Sequence, residues 1–381
     1  MKPLSHCARL LRELIVLPSV NPAFLPGDDS HTGEQRVADF LAATAARAGL
    51  DVEFQPVFPQ RSNLLARLSP RGEVKQRILL APHLDTVGGP GDWNELFHPR
   101  QRDGRLHGRG ACDTKGCVAA MMTAVLSVAG SRQRPTHTEI VFAGLVDEEH
   151  GQCGSRALAA SSYKADLAIV GEPTRLQVVT AHKGDLWLRL ETHGKAAHGA
   201  RPELGRNAVH EMARVVHLLE TTYATRLKRR RHPLLRHGTV NVGTIAGGTQ
   251  TNIVPAQCKI TIDRRTLPGE TEAGVRRELQ ALFRQHRLKV SFGNTKSADC
   301  LPLETSPELP LVQAFLRLVG QRKPVGVDFF CDASPLAQGG IPSIVFGPGD
   351  IAQAHTADEW ISLDSLERGT RMLTRFLQSL P

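Results

Sequence analysis

The sequence lacks any apolar run near the roughly 20 residues that a membrane-spanning helix requires. Its seven cysteines are odd in number and scattered, and none of them shows Cys-x-x-Cys spacing. This pattern argues against both a disulfide framework and a thiolate zinc site. The first twenty residues carry Arg9, Arg12 and Glu13 within their apolar pattern, which favours an amphipathic helix over a secretory signal. We therefore expect reduced thiols, no membrane partner and a cytosolic protein.

Aromatic residues make up only 5% of the chain, and none interrupts its strongest basic run, R-L-K-R-R-R-H from Arg226 to His232. No nucleic-acid fold motif surrounds this run. The net charge is +9, and we interpret the run as a solvated basic loop that attracts anionic metabolites. We expect no nucleic-acid partner. The alternative, a basic-loop nucleic-acid binder, predicts salt-sensitive retention on DNA or RNA.

The chain has 381 residues, which is more than usually fold around a single hydrophobic core, so two domains are expected. Apolar strands are predicted at 77–81, 139–146 and 165–170, and helices at 33–49 and 117–129. This alternation is typical of an α/β domain with a largely parallel sheet.

Each of these three strands ends in polar residues. His83 and Asp85 follow the first strand, Glu148 and Glu149 the second, and Glu172 the third. The carboxyl ends of parallel strands meet at one edge of a sheet, where α/β proteins place their sites. Consecutive carboxylates at such an edge are costly to bury unless a cation compensates their charge. Each residue alone also fits an ordinary turn.

Two further candidates lie in loops. Asp113 belongs to G-R-G-A-C-D-T-K-G, immediately before the helix predicted from Cys117. It is either the N-cap of that helix or a carboxylate whose two oxygens bridge two cations. His355 follows G-P-G at 347–349, and taken alone it would be an unremarkable loop histidine.

The pattern changes after residue 180, where strands and helices follow the order β-α-β-β-α-β up to residue 292. This order is typical of a ferredoxin-like module. Because the candidate residues lie on both sides of it, we predict an insertion at 181–292 within a catalytic domain formed by 1–180 and 293–381.

Taken together and in this order, the motifs resemble those of the di-zinc aminoacylase and carboxypeptidase family of metallopeptidases. That family includes acetylornithine deacetylases, succinyl-diaminopimelate desuccinylases and glutamate carboxypeptidases. The resemblance extends over nearly the whole chain and rests on A-P-H-L-D-T-V, G-R-G-A-C-D-T-K-G, V-D-E-E-H-G, V-G-E-P-T, G-K-A-A-H-G-A-R-P, T-N-I-V-P, D-R-R and A-H-T-A-D-E-W. It implies a zinc-peptidase-like α/β catalytic domain with a central mixed, largely parallel sheet, and an inserted ferredoxin-like α+β lid and dimerisation domain.

The resemblance also implies a homodimer with two zinc ions per subunit, for which cobalt or manganese can substitute. By position, one zinc is assigned to His83, Asp113 and Glu172. The other is assigned to Asp113, Glu149 and His355.

The same comparison of motifs assigns roles in catalysis. Glu148 corresponds to the general base that serves the attacking water, and Asp85 to the carboxylate that orients His83. The family's bridging aspartate precedes a cis peptide, so the bond from Asp113 to Thr114 is expected to be cis.

Four residues are assigned to the substrate. His198, which in this family comes from the partner subunit, and Asn252 correspond to donors for the oxyanion. Arg265 corresponds to the arginine that binds the substrate carboxylate, although Arg264 stands beside it. Gly339 resembles a glycine of the loop near the substrate, and it equally fits a turn before Pro342.

One departure bears on the substrate: Ser334 stands where desuccinylases usually carry an arginine. The segments 181–184 and 347–359 are most similar to those of acetylornithine deacetylases. The resemblance therefore implies removal of the acyl group from an N-acyl amino acid, with N-acetyl-L-ornithine in arginine biosynthesis as the first choice. Succinyl-diaminopimelate desuccinylase and glutamate-type carboxypeptidase are alternatives on the same scaffold. A non-catalytic binding protein is the alternative from another class, and the complete set of ligands and base argues against it.

Overall fold

The computed structural model describes residues 4–27, 30–89, 93–295 and 300–381. The chain forms two compact units. The first comprises Met1–Thr180, Thr305–Val325 and Cys331–Pro381, and the second comprises Ala181–Glu304 and Gly326–Phe330. From the sequence, the inserted domain was predicted to end at residue 292 and the first domain to resume at residue 293. The second unit instead continues to Glu304, because Leu303 and Glu304 form a strand that pairs with His182 and Ala181.

The strands and helices are numbered along the chain. The strands are β1 (Asp51–Phe58), β2 (Arg61–Leu68), β3 (Gln76–Pro82), β4 (Arg100–Arg102), β5 (Arg105–His107), β6 (Thr138–Gly144), β7 (Leu167–Gly171), β8 (Val179–His182), β9 (Gly184–His193), β10 (Thr239–Gly247), β11 (Gln257–Thr266), β12 (Val290–Asn294), β13 (Leu303–Glu304), β14 (Val325–Val327), β15 (Ser343–Val345) and β16 (Trp360–Ser362). The α-helices are α1 (His6–Val16), α2 (Gln35–Arg47), α3 (Trp93–Leu96), α4 (Lys115–Ala129), α5 (Cys153–Ala160), α6 (Ala208–Leu218), α7 (Ala224–Arg229), α8 (Glu272–Gln285), α9 (Pro310–Val319), α10 (Ala333–Gln338) and α11 (Leu363–Gln378). Among the described residues, no helix has the length and hydropathy that crossing a membrane would require.

A mixed sheet forms the centre of the first unit, with strands in the order β1-β2-β6-β3-β7-β15-β8. The central strands β6, β3, β7 and β15 run parallel to one another. Strand β2 is antiparallel to both β1 and β6, and β8 begins antiparallel to β15. The mixed, largely parallel sheet predicted from the sequence is therefore confirmed.

Helices cover this sheet and bury its central strands. Every residue of β6 and β7 is buried, as is β3 from Ile78 onward. Helix α4 packs against α1 and α11, and α10 packs against β7 and β15. Because α4 is apolar around most of its circumference, it is buried in the core along most of its length, from Lys115 to Val125. The ends of the parallel strands are thus held by packing on both faces of the sheet.

The second unit is a four-stranded antiparallel sheet in the order β10-β11-β9-β12, with α6 and α8 in the connections. Its core is formed by apolar residues of both helices, such as Met212 and Leu279, packed with strand residues such as Leu188 and Ile260. The chain order β9-α6-β10-β11-α8-β12 confirms the predicted ferredoxin-like module.

The basic run from Arg226 to His232 is not a loop throughout, which corrects the interpretation from sequence. Its first residues belong to α7, because Leu227 is buried in the core of the second unit. Arg230 forms ion pairs with Glu270 and Glu278. Part of the local positive charge is therefore compensated within the unit.

His182 of β8 is a fully buried neutral histidine in the second unit. Its Nδ1–H donates to the carbonyl oxygen of Lys183 at 2.9 Å, and its Nε2 has no hydrogen-bond partner among the described residues. Burial lowers the pKa of His182 to about 4.

This histidine is expected to make folding pH-dependent. The imidazole of His182 is protonated below about pH 6.5 in the unfolded chain but only below about pH 4 in the folded protein. Between these pH values the unfolded state binds the proton more readily, so acid destabilises the folded state. Between pH 7 and pH 5, the free energy of unfolding should fall by roughly 2 kcal/mol less in His182→Gln than in the wild type. Urea unfolding at both pH values measures this difference. His210→Gln, an exposed histidine of α6, is the control and should behave like the wild type; a full decline in His182→Gln would contradict the assignment.

Candidate metal centre

His83 is held at the carboxyl end of β3 with one ring nitrogen already committed. Its Nδ1–H donates to the backbone oxygen of Asp85 at 3.0 Å, with Oδ1 of the same residue at 3.4 Å. This fixes the ring and leaves the Nε2 lone pair directed elsewhere. Nε2 lies 3.2 Å from Oδ1 of Asp113 and 3.8 Å from Oε1 of Glu172, the residue that follows β7.

Asp113 faces two histidines with its two oxygens. Oδ1 lies near His83, and Oδ2 lies 3.4 Å from Nε2 of His355. The peptide bond from Asp113 to Thr114 is cis, as the resemblance predicts. The N-cap of α4 is Thr114, so the alternative interpretation of Asp113 as the N-cap is wrong. The hydroxyl of Thr114 donates to the carbonyl oxygen of Gly171 at 3.0 Å, which joins this loop to the end of β7.

Glu149 completes the second half of the cluster. Its Oε2 lies 3.1 Å from Nε2 of His355. Ligand atoms of His83, Asp113 and Glu149 all lie within 4.8 Å of one another. The side chain of His355 is 54% exposed, whereas that of Glu149 is only 6% exposed. The cluster is therefore buried on the sheet side and open at His355.

The side chain of Asp85 connects the segment after β3 to the segment after β6. Its Oδ1 accepts a hydrogen bond from the backbone N–H of Glu148 and its Oδ2 from that of Glu149, each at 3.1 Å. One carboxylate therefore contacts the segment of His83 and also fixes the turn that carries the two glutamates.

A polar network that sequence reasoning missed lies behind Asp85. The Asn21 side-chain amide donates to Asp85 at 2.8 Å and to Asp147 at 3.0 Å. The guanidinium of Arg61 binds both oxygens of Glu34 at 2.7 Å and reaches Asp147 at 3.3 Å. Only Asp147 carried a signal in the sequence, as the first of the three consecutive acidic residues in V-D-E-E-H-G.

Asp147 also has an unusual backbone conformation, with φ of 70° in the left-handed region. A non-glycine residue rarely adopts this conformation unless its surroundings impose it. The hydrogen bond from its backbone N–H to Glu34, at 3.1 Å, is one such restraint. The network therefore shapes the turn that presents Glu148 and Glu149.

The carboxylates of the cluster are buried without a lysine or arginine among the described residues to balance their charge. Among the residues that the structure describes, no lysine or arginine forms an ion pair with Asp113, Glu148, Glu149 or Glu172. Burial raises the pKa of Glu148 and of Glu172 well above the usual range, and raises that of Glu149 to about 7. Buried carboxylates grouped with two imidazoles are a nitrogen and oxygen donor set that divalent cations such as zinc accept. The residues present therefore fit a metal centre.

Residues 79–379 match the profile described as Peptidase family M20/M25/M40. The chain belongs to this family. Acetylornithine deacetylase of Edwardsiella ictaluri (strain 93-146) is 32% identical over 380 residues, which cover 97% of this chain and 96% of that protein. The family assignment makes this M20 chain a metal-dependent hydrolase of amide bonds.

Solved structures share the fold of this M20 chain. Aminopeptidase PepT from Bacillus cereus ATCC 10987 superposes with a TM-score of 0.76 at 21% identity, covering 98% of this chain and 97% of that one. The Bacillus subtilis YXEP protein, described as a dinuclear metal binding peptidase from M20 family, has a TM-score of 0.67 at 12% identity, with coverage of 98% and 96%.

His198 and Asn252, the predicted oxyanion donors, lie on neighbouring segments of the second unit. His198 forms a β-bridge with Ile253, and the Gly199 N–H donates to the carbonyl oxygen of Asn252 at 2.7 Å. A Cβ on Gly199 would lie 2.9 Å from that oxygen, so this close approach requires glycine. Both side chains are exposed, and their roles stay predictions.

Of the two neighbouring arginines, Arg265 is the more accessible to a substrate carboxylate. Arg264 is fully buried and bonds to Tyr223 and Glu270, so it belongs to the core of its unit. Arg265 is partly exposed, and its guanidinium is paired with Asp263 at 2.9 and 3.0 Å. Its assignment to a substrate carboxylate stays a prediction.

Gly339 has a structural explanation of its own. It follows α10, and a Cβ at this position would lie 2.6 Å from Cβ of Ala159 in α5. This packing accounts for glycine here without a substrate. The predicted contact with substrate stays a prediction.

Loss of the Asp85 side chain should affect turnover before it affects metal content. Asp85→Ala removes the acceptor for the Glu148 and Glu149 N–H groups but leaves all five predicted ligands in the chain. We expect kcat to fall about 10–100-fold, the usual effect of losing a group that supports metal ligands. Kinetics together with metal analysis test this, with Asp39→Ala on the surface of α2 as the control. Parallel loss of metal and activity would contradict the prediction.

Proposed function

We propose that this chain is a di-zinc deacetylase that hydrolyses N-acetyl-L-ornithine to L-ornithine and acetate. The observation that carries the proposal is the arrangement of Asp113 between His83 and His355, with Glu149 and Glu172 beside the two histidines. The name of the Edwardsiella ictaluri relative, which covers nearly the full length of both chains, supports the choice of substrate.

In this proposal the ligands divide into two sets that share Asp113. His83, Asp113 and Glu172 would hold one zinc, and Asp113, Glu149 and His355 the other. Cobalt or manganese would suit the same donors. When bound, such a pair of cations supplies Lewis acidity to a water and to the carbonyl group of the amide.

Glu148 is the proposed general base and acid. Its carboxylate would accept a proton from the attacking water and would later give this proton to the nitrogen of the departing amine. The hydrogen bond from its backbone N–H to Asp85 keeps the turn in place during both transfers. The proposal assigns stabilisation of the oxyanion to His198 and Asn252, and recognition of the substrate carboxylate to Arg265.

Ser334 bears on the nature of the acyl group. This residue is buried in α10 and offers no positive charge. A succinyl group carries a second carboxylate, and an arginine at this position would bind that carboxylate. The absence of that cation favours acetyl over succinyl, as part of a proposed role in arginine biosynthesis. A homodimer formed through the second unit and a cytosolic location belong to the same proposal.

A panel of substrates tests the proposed function. Purified protein with added zinc would be assayed on N-acetyl-L-ornithine, N-succinyl-L,L-diaminopimelate and a dipeptide ending in glutamate. We expect kcat/KM to be highest for N-acetyl-L-ornithine by about 10–200-fold, the range that one differing group in a binding site provides. A higher kcat/KM for either other compound would reassign the substrate. Cleavage of none of the three would contradict the proposal.

A further inference from the structure

The loop that carries Asp113 is wrapped around the side chain of a residue distant in sequence, Glu359. One oxygen of Glu359 accepts hydrogen bonds from the backbone N–H groups of Cys112 and Asp113 at 2.8 and 2.9 Å. The other accepts from the N–H of Gly110 at 2.8 Å and from Nη1 of Arg109 at 2.9 Å. Residues 109–113, here called the Asp113 loop, thus direct four donors at one carboxylate.

Glu359 joins this loop to the segment that carries His355. The two residues are separated by only three positions, and the backbone oxygen of Glu359 also accepts from the Gly108 N–H at 3.0 Å. Immediately afterwards, β16 pairs with β5, so that Trp360 lies opposite His107. The backbone of Glu359 and the strand that follows it therefore both contact the segment that leads into the Asp113 loop.

The charge of Glu359 is compensated inside the protein. Glu359 is 3% exposed and Arg109 is 2% exposed. The Arg109 guanidinium packs against Gly89, where a Cβ would lie 2.5 Å from Nη2. A buried carboxylate with a matched cation and three backbone donors has a single well-defined position, because any displacement would leave buried donors unpaired.

Small displacements of the Asp113 loop matter because Asp113 faces two partners at once. Its oxygens lie 3.2 Å from Nε2 of His83 and 3.4 Å from Nε2 of His355. A rotation or shift that improves one of these distances changes the other. The position of the loop therefore determines whether one carboxylate can serve both histidines.

We propose that Glu359 is a positioning residue of the metal centre, which acts through the Asp113 loop to set the carboxylate of Asp113 between His83 and His355. This inference rests on the proposed function in one respect, the assignment of Asp113 as a ligand shared by two metals. Glu359 itself touches neither metal nor substrate in this role.

Glu359→Gln tests the proposal, because it keeps the shape of the side chain but replaces one accepting oxygen by an NH2 group that faces donors. The metal-free protein would be titrated with cobalt(II), and its absorption spectrum and binding curve compared with those of the wild type. We expect cobalt to bind about 10–100-fold more weakly, with a changed visible spectrum. In the zinc form kcat should fall by a similar factor while KM stays within about twofold.

Glu139→Gln is the matched control. Glu139 is also buried in the first unit and also pairs with an arginine, Arg77, but it lies at the opposite end of β6 from the turn of Glu148 and Glu149. Both variants should lower the unfolding temperature of the metal-free protein, and only Glu359→Gln should change cobalt binding. If Glu359→Gln binds cobalt with the wild-type affinity and spectrum, Glu359 has a structural role only and the proposal fails.

A second variant covers the case in which Glu359→Gln does not fold. Arg109→Gln leaves the three backbone donors on Glu359 but removes the cation, and should weaken cobalt binding in the same direction. Wild-type cobalt binding by Arg109→Gln would overturn the proposal. Since cobalt titration needs no substrate, these results stand even if the wild-type protein cleaves none of the proposed substrates, which would refute only the assigned reaction.

Discussion

Replacing Glu148 by glutamine should remove most turnover while leaving both metal ions bound. Glu148 is buried beside the cluster, yet its side chain forms no ion pair with His83 or His355, which face the other carboxylates. A glutamine keeps the size of the side chain but can neither accept nor return a proton. We expect kcat to fall about 10²–10⁴-fold, the contribution of a positioned general base.

Glu149→Gln is the matched comparison, since it makes the same change at the adjacent position. Glu149 lies 3.1 Å from His355, so its substitution should weaken metal binding as well as lower kcat. Metal analysis and steady-state kinetics on both variants separate the two roles. A Glu148→Gln variant with the kcat of the wild type would show that the base is assigned to the wrong residue.

Asp113→Ala should lose both metal ions, because this carboxylate is the one residue assigned to both ligand sets. Its two oxygens face His83 and His355 separately, so no other proposed ligand substitutes for it. We expect the affinity for zinc to fall by more than about 100-fold and activity to be abolished. Isothermal titration of the metal-free protein with zinc measures the effect.

His355→Ala provides the contrast for Asp113→Ala. His355 belongs to one ligand set only, and its side chain is 54% exposed at the open side of the cluster. This variant should therefore retain one zinc held by His83, Asp113 and Glu172. If Asp113→Ala also retained one zinc, or if His355→Ala lost both, the proposed sharing of Asp113 would be wrong.

The sequence predicted best those site residues that follow buried strands. His83 and Glu172 come directly after apolar segments that were predicted as buried strands of a largely parallel sheet, and such a sheet brings the ends of its strands to one edge. Asp113 and His355 lie in loops, where no periodic pattern constrains the backbone. For His355 only the resemblance to a family indicated a role, and for Asp113 the resemblance favoured a shared metal ligand over an N-cap.

Two of the residues that support the site, Asn21 and Glu359, were not predicted, because each acts on a partner far along the chain. Asn21 lies 64 positions from Asp85, and Glu359 lies 246 positions from Asp113. Local sequence around them carries no sign of these contacts, since a hydrogen bond across the fold depends on the final packing of strands and loops. The helical part of the basic run was missed for a related reason, because the burial of Leu227 that supports α7 is a property of the folded unit.

Zinc reconstitution of the metal-free protein tests the central claim most directly. The chain would be stripped of metal, titrated with zinc, and assayed for the release of L-ornithine from N-acetyl-L-ornithine while bound zinc is counted. We predict no hydrolysis without metal and restoration by zinc, with binding that saturates at two ions per chain. Binding of fewer than one zinc per chain, or hydrolysis that persists after complete removal of metal, would contradict the account.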